Sequence, residues 1–150
     1  MNTPITFPIA KLLKEKGFNL PVKNLYSNEE LLENYSLINQ YENIYIDDKG
    51  ECLIIPFSDR NVYLEKVDFN SWSKVDYSAP TIADVVMWIY EKYGIWIWTH
   101  ITKTEGEGLS WMYEMQDIGG KFIDDQYGHN SPKEAYEAAI EYILTNLITT

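Results

Sequence analysis

Residues Ala79 to Ile101 read APTIADVVMWIYEKYGIWIWTHI, and the period of the pattern changes at Gly94. Before it, Ile82, Val85, Val86, Ile89 and Tyr93 recur at the spacing of one helical face, after a helix start supplied by Ala79-Pro80-Thr81. Gly94 stops that helix. After it the residues alternate as in a strand, with Ile95, Ile97, Thr99 and Ile101 on one side and Trp96, Trp98, His100 and Thr102 on the other. A core explains the isoleucines. The other side poses the functional question, because two tryptophans and a histidine need something to face.

The next strand runs from about Ser110 to Ile118, after a loop from Lys103 to Gly108. Trp111, Tyr113, Met115 and Asp117 alternate there with Ser110, Met112, Glu114, Gln116 and Ile118. Glu114 and Gln116 prefer water, so their set is the outer one. Trp111, Tyr113 and Met115 then join the isoleucines beneath the helices. A hairpin that sets His100 opposite Met112 also sets Trp98 opposite Glu114 and Trp96 opposite Gln116. Trp96, Trp98, His100, Glu114 and Gln116 are therefore the candidate ligand-binding residues. Three things can cover them: the first half of the chain, a second copy forming a homodimer through the sheet face, or a ligand. As a platform, the tryptophans would stack on a base or sugar while His100, Glu114 and Gln116 bond to it. Lys103 and Lys121 are the nearest cations, too few for a multiply charged nucleotide.

Beyond the hairpin, Gly119-Gly120 reads as a turn and Lys121 to Asp124 as a short third strand. Asn130 or Ser131 caps a last helix that has Pro132 at its first position. Tyr136, Ala139, Ile140, Ile143, Leu144 and Leu147 form its buried stripe, with Glu134, Glu137 and Glu141 opposite. Before Ala79 the pattern is weaker. Pro8 to Phe18 reads as a short helix ended by Gly17, and Ser27-Asn28-Glu29-Glu30 as the cap of a second. Asn43 to Ile46 and Glu51 to Phe57 read as two strands joined by a turn at Asp47 to Gly50, with Pro56 at a strand end or on an edge. Asn61 to Phe69 reads as a further strand, and Ser71 to Ser78 as a connector. The expected fold class is α+β: one compact domain over 1–150, with an antiparallel sheet carrying helices mainly on one face. Residues 79–150 form its α-β-β-(β)-α half and 1–78 a variable half.

Composition narrows the function classes. With 23 acidic and 12 basic side chains the net charge is −11, concentrated in the last 72 residues. Such a surface repels phosphate backbones, so nucleic acid is not an expected partner. It suits solubility or the mimicry of a polyanion on a basic partner. An aromatic share of 15% argues against disorder. The single cysteine, Cys52, excludes an intrachain disulfide and reads as a buried thiol. No run of residues suits a membrane span, and the opening MNTPITFPIAKLLKEKGF lacks a secretory signal pattern, so a cytoplasmic location is expected.

Catalytic signatures are missing. The chain has no phosphate-binding glycine loop, no zinc-deaminase or metalloprotease spacing and no nucleophile elbow. His100, His129 and Cys52 offer at most three metal ligands, far apart in sequence, so no metal and no cofactor are expected. Asp47-Asp48 and Asp124-Asp125 are adjacent pairs, whereas acid–base catalysis needs carboxylates that converge across a cleft.

Three blocks, TFPIAKLLKEKGF, APTIADVVMWIYEKYGIWI and SPKEAYEAAIEYILTNLI, together resemble a family of small proteins from bacteriophages and prophages of gut Bacteroidetes. The resemblance implies phage origin and the cytoplasm of a bacterial host, and it implies no reaction. The last 72 residues are also similar in layout to small phage domains built as helix-sheet-helix sandwiches. The order α-β-β-(β)-α resembles the double-stranded-RNA-binding domain too. That domain needs a lysine cluster where this chain reads SPKEAYE, and a lone Lys133 among glutamates excludes the activity. The function expected is that of a non-enzymatic, phage-encoded accessory protein that binds a host protein through an acidic, aromatic surface. A small-ligand or nucleotide-signal binder comes second and an enzyme of unknown class third.

Overall fold

In the computed structural model, which describes residues 1–33, 44–46, 52–54, 68–72, 74–106 and 108–148, the switch at Gly94 joins a helix directly to a strand. Helix α3 (Ile82–Tyr93) begins in a capping box. The Thr81 hydroxyl accepts from the Asp84 N–H at 3.2 Å, and the Asp84 carboxylate accepts from the Thr81 N–H at 3.1 Å. Two more of its first N–H groups donate to the N-terminal segment, Ile82 to the Thr3 carbonyl and Ala83 to that of Met1. The orphan donors of the first turn are thus met partly from the far end of the chain. Gly94 closes the helix at φ +69°, its N–H donating to the Tyr90 carbonyl. A side chain there would be strained, so glycine permits the strand to start at the very next residue.

Strands β6 (Ile95–Thr104), β7 (Gly108–Asp117) and β8 (Phe122–His129) form an antiparallel sheet with β7 in the centre. Helix α3 packs on β6, and α4 (Pro132–Tyr142) on all three strands. The helix-covered face holds Ile95, Ile97, Tyr113 and Met115, all buried. Ser131 caps α4, accepting from the Glu134 N–H. The helix widens into a π-helical turn over Ile143–Leu147 that keeps Ile143 and Leu144 in the core. Leu147, expected in the stripe, is exposed, because the wide turn rotates it outward.

The first half adds α1 (Phe7–Glu15), β1 (Leu25–Ser27), β2 (Glu30–Leu32), the strand pair β3 (Ile44–Ile46) and β4 (Cys52–Ile54), one helical turn α2 (Phe69–Trp72), and β5 (Tyr77–Ser78). A small antiparallel sheet orders β2-β1-β5. One buried cluster contains Ile9, Leu13, Phe18, Leu25 and Phe69 together with Val85, Ile89, Ile97, Ile140 and Leu144, so both halves share a core. The class is α+β, with the helices of the larger sheet on one face.

Several expectations need correction. Ser27 to Glu30 is a hairpin turn, not a helix cap. Asn28 and Glu29 lie at φ +52° and +64°, and Leu31 and Leu32 pair with Tyr26 and Leu25. Two consecutive left-handed residues make a tight turn whose twist suits flanking strands. Ser71 to Ser78 is more than a connector, since it ends α2 and holds β5. Phe69 opens α2 rather than closing a strand, and Asp68 before it accepts the Ser71 N–H; residues 61–67 of that expected strand, the Asp47 to Gly50 turn and Pro56 lie outside the described residues. The β3–β4 pairing itself is present, Ile44 opposite Ile54 and Ile46 opposite Cys52.

Glu137 also departs from expectation. It is not on a solvent face: it is half-buried and accepts the Thr6 N–H at 3.0 Å, at the start of α1. Burial raises its pKa above the ordinary glutamate value, against the lowering pull of the Thr6 N–H and of Lys133. A carboxyl held more tightly by its proton in the fold than in the open chain makes the fold more stable as pH falls. The penalty for its charge is complete above the folded pKa and gone below the unfolded one. Glu137→Gln keeps an oxygen for Thr6 without the charge. The stability gap between variant and wild type should therefore shift against the variant as the buffer is taken from about pH 7 to about pH 4. Urea titrations at each pH read this directly, and a gap constant across the range would refute it.

Candidate functional site

The alternation that begins at Ile95 decides which way every later side chain of β6 points. The register is Trp96 opposite Gln116, Trp98 opposite Glu114 and His100 opposite Met112. All five sequence-predicted residues, Trp96, Trp98, His100, Glu114 and Gln116, stand on the face turned away from α3 and α4. Trp96 is 37% exposed and Trp98 partly so. The Tyr90 ring meets Trp96 edge-on, centroids 5.3 Å apart, and braces it from the helix side of the sheet edge.

His100 Nε2 lies 3.6 Å from Glu114 Oε1, a diagonal cross-strand pair. The distance exceeds a hydrogen bond, and the pair is ionic only when the imidazole carries a proton. Both side chains are partly in water, so the attraction is worth at most about 1 kcal/mol.

Strand β8 enlarges the face. It runs to His129, well past the expected end at Asp124, and sets Phe122 opposite Gln116 and Asp125 opposite Glu114. Phe122 is 59% exposed and Tyr127 60%. These residues escape a sequence reading because two register irregularities and Gly128, at φ +97°, break the alternation that would assign faces. The remaining signal is the pair of aromatics Phe122 and Tyr127 flanking two aspartates. The outer face thus combines exposed aromatic rings with the carboxylates of Glu114 and Asp125.

The inner face is less uniform than expected. Ile101 is 54% exposed, since the strand there runs beyond the cover of the helices. Asp124 and Asp125 point to opposite faces, as adjacent strand residues must, and do not converge. Asp124 accepts the Tyr113 hydroxyl at 2.9 Å on the covered side. Burial, and then that bond, push the Tyr113 pKa far above its ordinary value, so the phenol stays a donor. His129 packs against the Tyr113 ring at 6.0 Å, away from His100. Among the described residues no three histidine, cysteine, aspartate or glutamate side chains gather closely enough to hold a metal. None of their helices is long and apolar enough to cross a membrane.

Two sizeable clefts among the described residues lie elsewhere. One of about 450 Å³ is mainly polar and lined by Asn2, Lys23 and Glu33. Another of about 450 Å³ is apolar, between Leu20, Pro21 and Met87. Trp96, Trp98, His100, Glu114 and Gln116 line neither, and their arrangement is that of an open sheet face. Comparison with known proteins found no family model, no curated protein and no solved structure that matches this chain.

Proposed function

We propose that the chain is a non-enzymatic binding protein, phage-encoded, whose outer sheet face docks on a basic surface of a host protein. The observation that carries the reading is the outward set Trp96, Trp98 and Phe122, each at least partly exposed, beside Glu114 and Asp125. Soluble chains do not commonly leave several large rings bare on one face without a partner for them. Aromatic residues supply most of the energy in protein interfaces, and surrounding charge selects the partner and speeds the encounter. The net charge of −11 makes that partner a basic one. A flat face suits a protein surface better than a small molecule, which is usually enclosed. The phage origin rests on the three sequence blocks.

The test is capture from host lysate with immobilised protein, followed by titration of whatever is retained. A specific partner should be released in roughly 1 M salt, where the Debye length is about 3 Å. It should bind the double variant Trp96→Ala/Phe122→Ala at least about tenfold more weakly, a loss of about 1.4 kcal/mol. Both sites are exposed, so the variant should keep its fold. Equal binding by wild type and variant would remove this face from consideration.

A further inference from the structure

The two edges of the β6–β7–β8 sheet are built differently. Strand β8 meets β7 through two irregularities, contains a left-handed glycine and carries adjacent aspartates. Bulges and charges of this kind keep an edge from pairing with another strand. Strand β6 has neither device along most of its length. It pairs with β7 over ten consecutive residues without a break. Among the described residues no strand lies on its other side. Residues Gly94 to Thr104, GIWIWTHITKT, contain no carboxylate in a chain of net charge −11, and Lys103 is their one permanent charge. Six of the ten strand residues are isoleucine or threonine, which favour extended backbone.

We propose that the open edge of β6 pairs antiparallel with β6 of a second copy, joining two sheets of three strands into one. Charge decides which edge a second copy can use. Two chains of −11 approach most easily where carboxylates are absent, and β6 is such a place, whereas β8 would set Asp124 and Asp125 against their own copies. A two-fold axis perpendicular to the sheet keeps the helices of both copies on one side. It places Trp96 and Trp98 of both on the other, so the dimer presents one aromatic face of double width. Glu105 follows the strand directly. Full overlap leaves it past the end of the neighbouring strand, while slippage toward the C-terminal ends brings the two copies' Glu105 together. The pairing also gives the exposed Ile101 a neighbour.

The proposal is independent of any host partner and is tested on the purified chain alone. Sedimentation velocity from about 1 to about 200 μM should show the mass rising from that of the 17.5 kDa chain to twice that value. Alternate amides of β6 point away from β7. In hydrogen exchange these should slow at least tenfold on concentration, while those of β8 do not change. Ile101→Glu and Thr102→Glu, on opposite faces of the strand, should each weaken self-association at least tenfold with the circular dichroism spectrum intact. Asp125→Asn on β8 should not weaken it. A monomer at every concentration overturns the proposal. So does a dimer whose β6 amides exchange independently of concentration, which would mark another contact surface. Dimerisation of both glutamate variants at the wild-type strength overturns it as well.

Discussion

Shortening Met115 to alanine should lower the unfolding free energy by about 2–5 kcal/mol, the usual range for emptying a buried methionine site. Met115 is 0% exposed and sits in the central strand, between Ile97 of β6 and Asp124 of β8. Both neighbouring strands are held by their own pairing, so the walls cannot close far into the space left behind. Ile140, Ile143 and Leu144 belong to the same core and are themselves fully buried. Met112, three residues earlier on the same strand, faces outward opposite His100. Met112→Ala should cost under about 1 kcal/mol, as ordinary surface changes do. Denaturant titrations of the two variants, with unchanged slopes, compare the faces directly. Similar losses for both would mean that the assignment of inside and outside on β7 is wrong, and with it the candidate face.

Asn70→Ala should be nearly as damaging, by a different mechanism. Asn70 Oδ1 accepts the Ser78 N–H at 2.8 Å, its amide nitrogen donates to the Phe18 carbonyl at 2.8 Å, and its own N–H donates to the Ser78 hydroxyl at 3.2 Å. One side chain thereby ties α2 to β5 and to the segment that follows α1. Ser78 is fully buried and Phe18 almost so. Alanine would strip the partners from a buried N–H and a buried carbonyl. Each such loss costs about 1–3 kcal/mol, so together they should cost at least about 2 kcal/mol. Asn70→Asp keeps the acceptor for Ser78 but sets a carboxylate oxygen against the Phe18 carbonyl, so it should be no better tolerated than alanine. A loss under about 1 kcal/mol for either variant in thermal or urea unfolding would sink this account.

The second half is legible in the sequence because its signals are local and agree with one another. Ala79-Pro80-Thr81 announce a helix start, Gly94 its end, and the isoleucine–tryptophan alternation the faces of β6. The preference of Glu114 and Gln116 for water then suffices to orient β7, and the register of His100 with Met112 follows. The first half is harder because its signals are ambiguous. Ser27-Asn28-Glu29-Glu30 has the composition of a helix cap and also of a tight turn, and what separates them is the pairing of Leu25 with Leu32. Glu137 looks solvated from its own helix, since only the fold brings Thr6 to it. On the candidate face, Trp96, Trp98 and their cross-strand partners are readable from alternation. Phe122, Asp125 and Tyr127 are not, because the irregular pairing of β8 erases the period.

The hydrogen bond between Thr6 and Glu137 spans 131 residues of chain. On a ribosome, α1 emerges long before the carboxylate that receives its first N–H, and before the Ile140, Ile143 and Leu144 that fill the shared core. Its own buried face, Ile9, Ala10 and Leu13, has no complete surface to settle on until then. Closing so long a loop must precede the contacts that reward it, which places the molecule among slowly folding topologies. The nascent first half therefore spends the time of synthesis with apolar groups uncovered, a period in which chaperones rather than native contacts must protect it.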